Sequence, residues 1–206
     1  MKTLFIPAKT KSEVNKSKIV GISTKLPKNI ALAYSIQYKD AAEEIKKILS
    51  KKHNITNLTQ VLGCSKPNFT KNTQAILLIG SGRFHAVSLA QQTKLPIYIL
   101  NRNNLQRISR KDIEMFEKKQ KASYMKFLNS NKIGILVSTK PGQQNLKKAL
   151  AFKNKLKKKS YLFISNNIDT SEFENFGLNS WVNTACPRLD MNDNKIVNLK
   201  ELNHKV

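Results

Sequence analysis

The 206-residue chain carries 37 Lys and Arg against 13 Asp and Glu, a formal charge of +24, with 40% apolar and 7% aromatic residues. This composition supplies enough apolar surface for a core and excludes wholesale disorder, and the length suits one large domain or two small ones. No apolar run approaches the ~20 residues of a membrane span, and the apolar stretch in MKTLFIPAKTKSEV is too short for a signal peptide, so a soluble cytoplasmic protein with no membrane partner is expected.

Apolar runs alternate with amphipathic stretches, the pattern of a parallel sheet flanked by helices, so the fold class is α/β. In chain order the first half offers strands at Thr3 to Ala8, Lys18 to Ser23, Ala31 to Gln37, Thr59 to Leu62, Gln74 to Ile79 and Pro96 to Leu100. Asp40 to Lys51 reads as a helix capped by Asp40, with Ala41, Ile45, Ile48 and Leu49 as its apolar stripe. A second helix follows Gly82, over about His85 to Gln92. The chain turns polar from about Asn101, and Ser109 then caps a long amphipathic segment that buries Ile113, Phe116, Tyr124 and Phe127.

The boundary between two domains, residues 1–104 and 105–206, falls just before that segment. Beyond it come strand Lys132 to Ser138, helix Gln143 to Lys157, strand Tyr161 to Ser165, a short helix near Ser171 to Phe176, and strands Trp181 to Thr184 and Ile196 to Leu199. Each half is a small, mostly parallel sheet flanked by helices. The halves also look loosely related, each opening on a strand that runs into a Lys-containing loop (LFIPAKTK, ILVSTKPG) and later carrying one cysteine beside a proline.

The charge has two readings: basic residues that merely cover solvated faces, as in KLKKK from Lys155, or a field that draws a polyanionic or acidic partner. Two cysteines far apart in a reducing compartment make a poor structural disulfide, which leaves buried thiols or metal ligands. Cys64 (VLGCSKP) and Cys186 (NTACPRL) each follow a strand, at the sheet edge where α/β folds bind ligands. Neither lies in a zinc or ferredoxin spacing, and a cubane takes four thiolates as a rule, so two must leave iron open or borrow ligands.

IGSGRFH, Ile79 to His85, joins a strand to a helix, where backbone amides and the helix N-terminus can cradle an anion, although Gly80 and Gly82 also suit a plain tight turn. His85 is open between a hydrogen-bonding residue at the helix start, a base and a ligand orienter. STKPGQ, Ser138 to Gln143, is a second strand-to-helix loop; Gly142 permits close backbone approach and Lys140 can meet a carboxylate, but the glycine spacing of a P-loop is absent. His53 and His204 read as surface residues, and Trp181 as core.

Together QVLGCS (Gln60 to Ser65), IGSGRFH, VSTKPGQ (Val137 to Gln143) and NTACPRL (Asn183 to Leu189), in this order, resemble the diphthamide synthase family of 2-(3-amino-3-carboxypropyl)histidine synthases. LFIPAK is similar to the start of that family's middle domain. The resemblance implies three related α/β domains, each giving one cysteine to a 4Fe-4S cluster whose fourth iron binds S-adenosylmethionine, and makes Cys64 and Cys186 the second and third cysteines. It further implies radical transfer of the 3-amino-3-carboxypropyl group to a histidine of elongation factor 2.

By the same resemblance Gly80, Ser81, Gly82, Arg83 and His85 form one cofactor loop. Ser138, Thr139, Lys140, Gly142 and Gln143 form the other, with Arg188 suited to the carboxylate of S-adenosylmethionine. No residues precede Met1 to supply a first domain, so a split enzyme is expected, with a second polypeptide giving the missing domain and cysteine in a dimeric or higher assembly. The alternative is a non-catalytic basic accessory module that docks elongation factor or RNA.

Overall fold

Two mostly parallel sheets organise the computed structural model of the chain, which describes residues 3–11, 13–63, 65–191 and 193–202. The chain divides into two compact units, Met1–Ile113 and Glu114–Val206, and the division falls inside a 20-residue helix.

The first unit runs α1 (Lys16–Ser23), β1 (Asn29–Tyr34), α2 (Lys39–Leu49), β2 (Asn54–Gln60), β3 (Ala75–Ile79), α3 (Arg83–Thr93), β4 (Ile97–Asn101) and β5 (Asn104–Arg107). Its sheet has the order β2-β1-β3-β4-β5, parallel except for the final antiparallel strand. β3 is the continuous apolar run AILLI and is buried along its whole length, as a central parallel strand covered on both faces must be. On one face Ile30, Leu32, Leu77 and Ile79 pack with Ala42, Ile45 and Leu49 of α2 and with Ile19 and Ile22 of α1. Three- and four-residue spacing puts those helical residues on one stripe.

Two expected strands are not strands. Lys18 to Ser23 is β-branched enough to read as one, yet it is helix α1: Asn15 caps it, its side chain accepting from Lys18 N at 3.1 Å, and Ile19 and Ile22 meet the core one turn apart. Tertiary burial of that pair overrides the local β preference. Thr3 to Ala8 has no strand pairing; Leu4, Phe5 and Ile6 are more than 70% exposed, and the segment is tied down only further on, by Thr10 N donating to Gln37 O and by the Lys9–Asp40 ion pair. Asp40, expected as a cap, lies instead in the first turn of α2 behind Tyr38.

The polar stretch after Asn101 conceals β5, a hairpin return made possible by Arg102 at φ +54°. His53 is no bare surface residue either. Its Nε2 lies 2.7 Å from Ser23 Oγ and its Nδ1 2.8 Å from Pro27 O, pinning the α1–β1 connection. His204 lies outside the described residues.

The second unit contains α4 (Arg110–Asn129) from Glu114 onward, then β6 (Lys132–Ser138), α5 (Leu146–Lys155), β7 (Lys159–Ser165), β8 (Ser180–Asn183), β9 (Ile196–Asn198) and α6 (Leu199–Leu202). Its sheet, β7-β6-β8-β9, is parallel throughout. Ile133, Ile135, Val137, Val182 and Val197 pack against Phe127, Ala149 and Leu202 on the helical face. The other face holds Leu136, Trp181 and Ile196 beneath Phe173 of the 3-10 segment Thr170–Phe176, the element expected there as a short helix. Trp181 is wholly buried, as expected, and lies so tightly over Gly134 that a Cβ there would overlap its ring.

Numbering the strands of each unit from its own start gives the same parallel order, 2-1-3-4, in both, so the two units are alike in topology. The expected correspondence of their cysteines is not: Cys64 follows the second strand of its sheet, Cys186 the third. LFIPAKTK is also no counterpart of ILVSTKPG, because only the latter is a strand.

Lys158, one of a basic run, turns inward. Its Nζ donates to the carbonyls of Phe127 and Ser130, both at 2.9 Å, and to that of Leu128, closing the C-terminal end of α4. Lys158→Met is expected to lower the free energy of unfolding by about 1–3 kcal/mol in urea titration. Lys157→Met, at an exposed neighbour, should stay within about 0.5 kcal/mol of the parent.

Candidate functional site

In a parallel sheet every strand delivers its following loop to the same carboxyl edge, and an order of 2-1-3-4 opens a crevice between strands 1 and 3, where consecutive connections depart in opposite directions. In the first unit that crevice lies between the ends of β1 and β3. β1 runs into Ser35 and the 3-10 turn Ile36–Tyr38, while β3 runs into Gly80, Ser81 and Gly82 and then α3. Gly80 adopts φ +149°, and a Cβ on it would sit 3.2 Å from Ser35 Oγ, so this position suits only glycine.

Gly82 is the N-cap of α3 and offers no side chain to the first-turn amides, which leaves the helix end suited to an anionic oxygen. His85 folds back so that its Nδ1 would lie 2.5 Å from a Cβ at Gly82, with its ring edge-on to Phe84. Arg83 is largely exposed and pairs with an acid of the same unit. Its Nη2 lies 2.5 Å from Asp112 Oδ1, and Asp112 also forms a reciprocal cap with Ser109. Hydrogen bonds from Arg83 and then Ser109 hold the Asp112 carboxyl below its ordinary range.

Cys64 lies outside the described residues, but its neighbours are placed. Ser65 Oγ donates to Leu62 O at 2.7 Å and accepts from Leu62 N at 2.8 Å, and Gly63 lies against the ring of buried Phe84 so closely that a Cβ would overlap it. The cysteine segment and the start of α3 are thus packed together through Gly63 and Phe84.

In the second unit the crevice lies between β6 and β8, and it is here that Ser138 to Gln143 and Cys186 leave the sheet. Ser138 is buried; its Oγ donates to Asn166 O at 3.1 Å and accepts from Lys140 N at 3.2 Å. Thr139 N donates to Ser165 O, and Gln143 N to Lys140 O around Gly142 at φ +79°. One side chain joins this loop to the cysteine loop: Asn145 Nδ2 donates to Gln143 O at 3.3 Å and to Thr184 O at 2.8 Å. Cys186 is a half-buried free thiol, and Arg188 is exposed two residues on, in the 3-10 segment Pro187–Met191.

Below Cys186 lies a polar network absent from the sequence reading. Asn183 Nδ2 donates to Cys186 O at 2.8 Å and to Asn198 Oδ1 at 2.7 Å; Asn198 Nδ2 donates to Pro187 O at 3.1 Å and to Asp190 Oδ2 at 2.8 Å. Asn183 and Asn198 end adjacent paired strands and are buried beside strand positions that are mostly apolar. A polar residue at the last core-facing position of a strand beside a cysteine motif was the available signal.

Among the described residues no group of three His, Cys, Asp or Glu side chains could hold a metal. The two sulfur donors suit an iron-sulfur centre in kind and fall short of it in number.

Two units built on mostly parallel sheets, each with loops leaving at a sheet crevice, place the chain in the α/β class. The diphthamide synthesis protein family matches residues 1–202, and the chain belongs to that family. It is 29% identical over 206 residues to the 2-(3-amino-3-carboxypropyl)histidine synthase of Pyrococcus horikoshii, a match covering 93% of this chain and 60% of that protein. The crystal structure of Dph2 from P. horikoshii superposes with a TM-score of 0.79 at 25% identity, over 93% of this chain and 62% of that one. The structure of Dph2 with a 4Fe-4S cluster gives 0.76 at 25% identity, over 91% and 60%. The chain thus spans about three-fifths of the length of these relatives.

Asp190 is 5% exposed, with Oδ1 lacking a hydrogen-bond partner; burial first, and then the charge of Glu201, push its carboxyl up to about 7, against the opposing charge of Lys119 and a hydrogen bond from Gln120. The folded protein therefore holds a proton that the unfolded chain releases near pH 4, and stability falls as pH rises from about 4 to 7. Asp190→Asn is expected to flatten that decline and to raise stability at pH 8 by about 1 kcal/mol or more, measured by urea denaturation across pH.

Proposed function

We propose that this chain is part of a 2-(3-amino-3-carboxypropyl)histidine synthase, with Cys64 and Cys186 as two thiolate ligands of a 4Fe-4S cluster. The overall reaction moves the 3-amino-3-carboxypropyl group of S-adenosylmethionine from its sulfonium sulfur to a ring carbon of a histidine on elongation factor 2, leaving methylthioadenosine and releasing the ring proton. The single observation that carries this reading is the family match over residues 1–202, which includes both cysteine motifs. When bound, a reduced cluster supplies the electron that starts cleavage of the sulfur–carbon bond.

The chain's own residues bind and orient. The uncapped start of α3, behind Gly80, Ser81 and Gly82, offers free backbone N–H donors to a polar oxygen of S-adenosylmethionine other than its carboxylate, and His85 shapes the loop against Phe84. In the second unit Ser138, Thr139 and the turn Lys140–Gln143 provide a rigid polar edge, and Lys140 and Arg188 supply positive charge for its carboxylate. Arg83, paired with Asp112, orders the loop at the edge of this site. Two cysteines leave the ligand set of the cluster incomplete, so a further thiolate comes from polypeptide outside these 206 residues. The +24 charge favours an acidic protein substrate in the cytoplasm, and the active species contains more than one copy of the cysteine-bearing units.

Anaerobic reconstitution tests the reading, using the chain with and without the polypeptide that carries the family's remaining cysteine. The brown absorbance and iron content of a 4Fe-4S cluster are expected with both present, each falling at least severalfold on Cys64→Ala or Cys186→Ala, together with transfer of label from S-adenosylmethionine to elongation factor 2. Iron content that is unaffected by removing both cysteines would sink the assignment.

A further inference from the structure

The loop of Cys186 is held by a threonine at its start and by side-chain amides beyond it. Thr184 fastens its start, donating from N at 3.1 Å and from Oγ1 at 2.7 Å to Leu136 O. Its own carbonyl accepts from Asn145 at 2.8 Å; Ala185 N donates to Asn183 Oδ1 at 2.9 Å; the Cys186 carbonyl accepts from Asn183 and the Pro187 carbonyl from Asn198. Asn183 and Asn198 are 2% and 7% exposed and bond each other at 2.7 Å.

Resting on the reading of Cys186 as an iron ligand, we propose that Asn183 and Asn198, with Asn145, are positioning residues that fix the cysteine loop before any metal arrives. A thiolate on a free loop must lose its backbone freedom at the moment of binding, whereas a loop already ordered does not. The clamp also has an electrostatic effect. The carbonyls of Cys186 and Pro187 are occupied by the buried amides of Asn183 and Asn198, so their negative ends are drawn toward the protein interior and away from an anionic sulfur-iron centre. Apolar residues at 183 and 198 would satisfy the sheet equally well, yet would leave those carbonyls free to turn toward the thiolate.

The experiment uses the full chain carrying Cys64→Ala, which leaves Cys186 as its single thiol, free of metal, and times alkylation by iodoacetamide across pH under native conditions. Asn183→Ala and Asn198→Ala are each expected to raise the rate about tenfold, the effect of releasing one or two buried hydrogen bonds from a locally opening loop. Val182→Ala, which truncates a wholly buried neighbour facing the other side of the sheet, controls for general destabilisation and should leave the rate within about twofold at a comparable loss of urea stability. Equal acceleration in Val182→Ala, or unchanged rates in both asparagine variants, would overturn the proposal.

In the Cys64-containing chain, Asn183→Ala should further weaken iron retention by about 10- to 100-fold. A parent chain that takes up no iron even together with the polypeptide carrying the remaining cysteine refutes the ligand reading alone, because the alkylation rates still decide whether the asparagines hold the loop.

Discussion

Strand direction is the constraint on which the rest of this structure depends. Among the described residues eight of the nine strands run parallel within their sheets, β5 being the exception, so the chain must cross back between neighbouring parallel strands and their outgoing loops meet the same edge. The shared order 2-1-3-4 then opens one crevice per unit, and it determines which loops face each other there. In the first unit these are Ser35–Tyr38 and Gly80–His85, with the Cys64 segment on the neighbouring strand. In the second they are Ser138–Gln143 and the Cys186 loop, brought within reach of a single asparagine side chain.

The two crevices are finished by different physics. The first relies on close approach without side chains: Gly63 against Phe84, Gly80 against Ser35, Gly82 against His85. The second relies on buried polar groups. Asn183, Asn198 and Asp190 occupy positions where apolar side chains would bury at less cost, and the network is satisfied except at Asp190 Oδ1. An acid held near neutrality without a partner for one oxygen is a local expense in stability that the surrounding core of Ile133, Val182 and Val197 offsets. Polar order concentrates where the Cys186 loop leaves the sheet.

The basic surface is less uniform than its composition suggests. Lys158 is spent on the end of α4, Lys119 on the carbonyl of Met191, and Arg83 on Asp112. These cations do structural duty.

Much of this protein was legible in its sequence. Hydrophobic runs such as AILLI and KIGILVS marked the central strands, and the stripe of Ala41, Ile45 and Leu49 marked α2, because burial on a sheet or a helix face imposes a period that composition must obey. The four motifs marked the family. Sequence alone could not distinguish helix α1 from a strand, since Ile19 and Ile22 become helical only through a core supplied by residues far along the chain, nor could it find β5 in a polar stretch whose one apolar residue, Leu105, reaches the core only once β4 and β5 pair.

It could not show that the cysteines occupy different strand positions, because sheet order is set by long-range pairing and not by local pattern. The asparagine clamp was hidden for the same reason: Asn183 and Asn198 are ordinary polar residues until β8 and β9 pair in register and put their amides side by side.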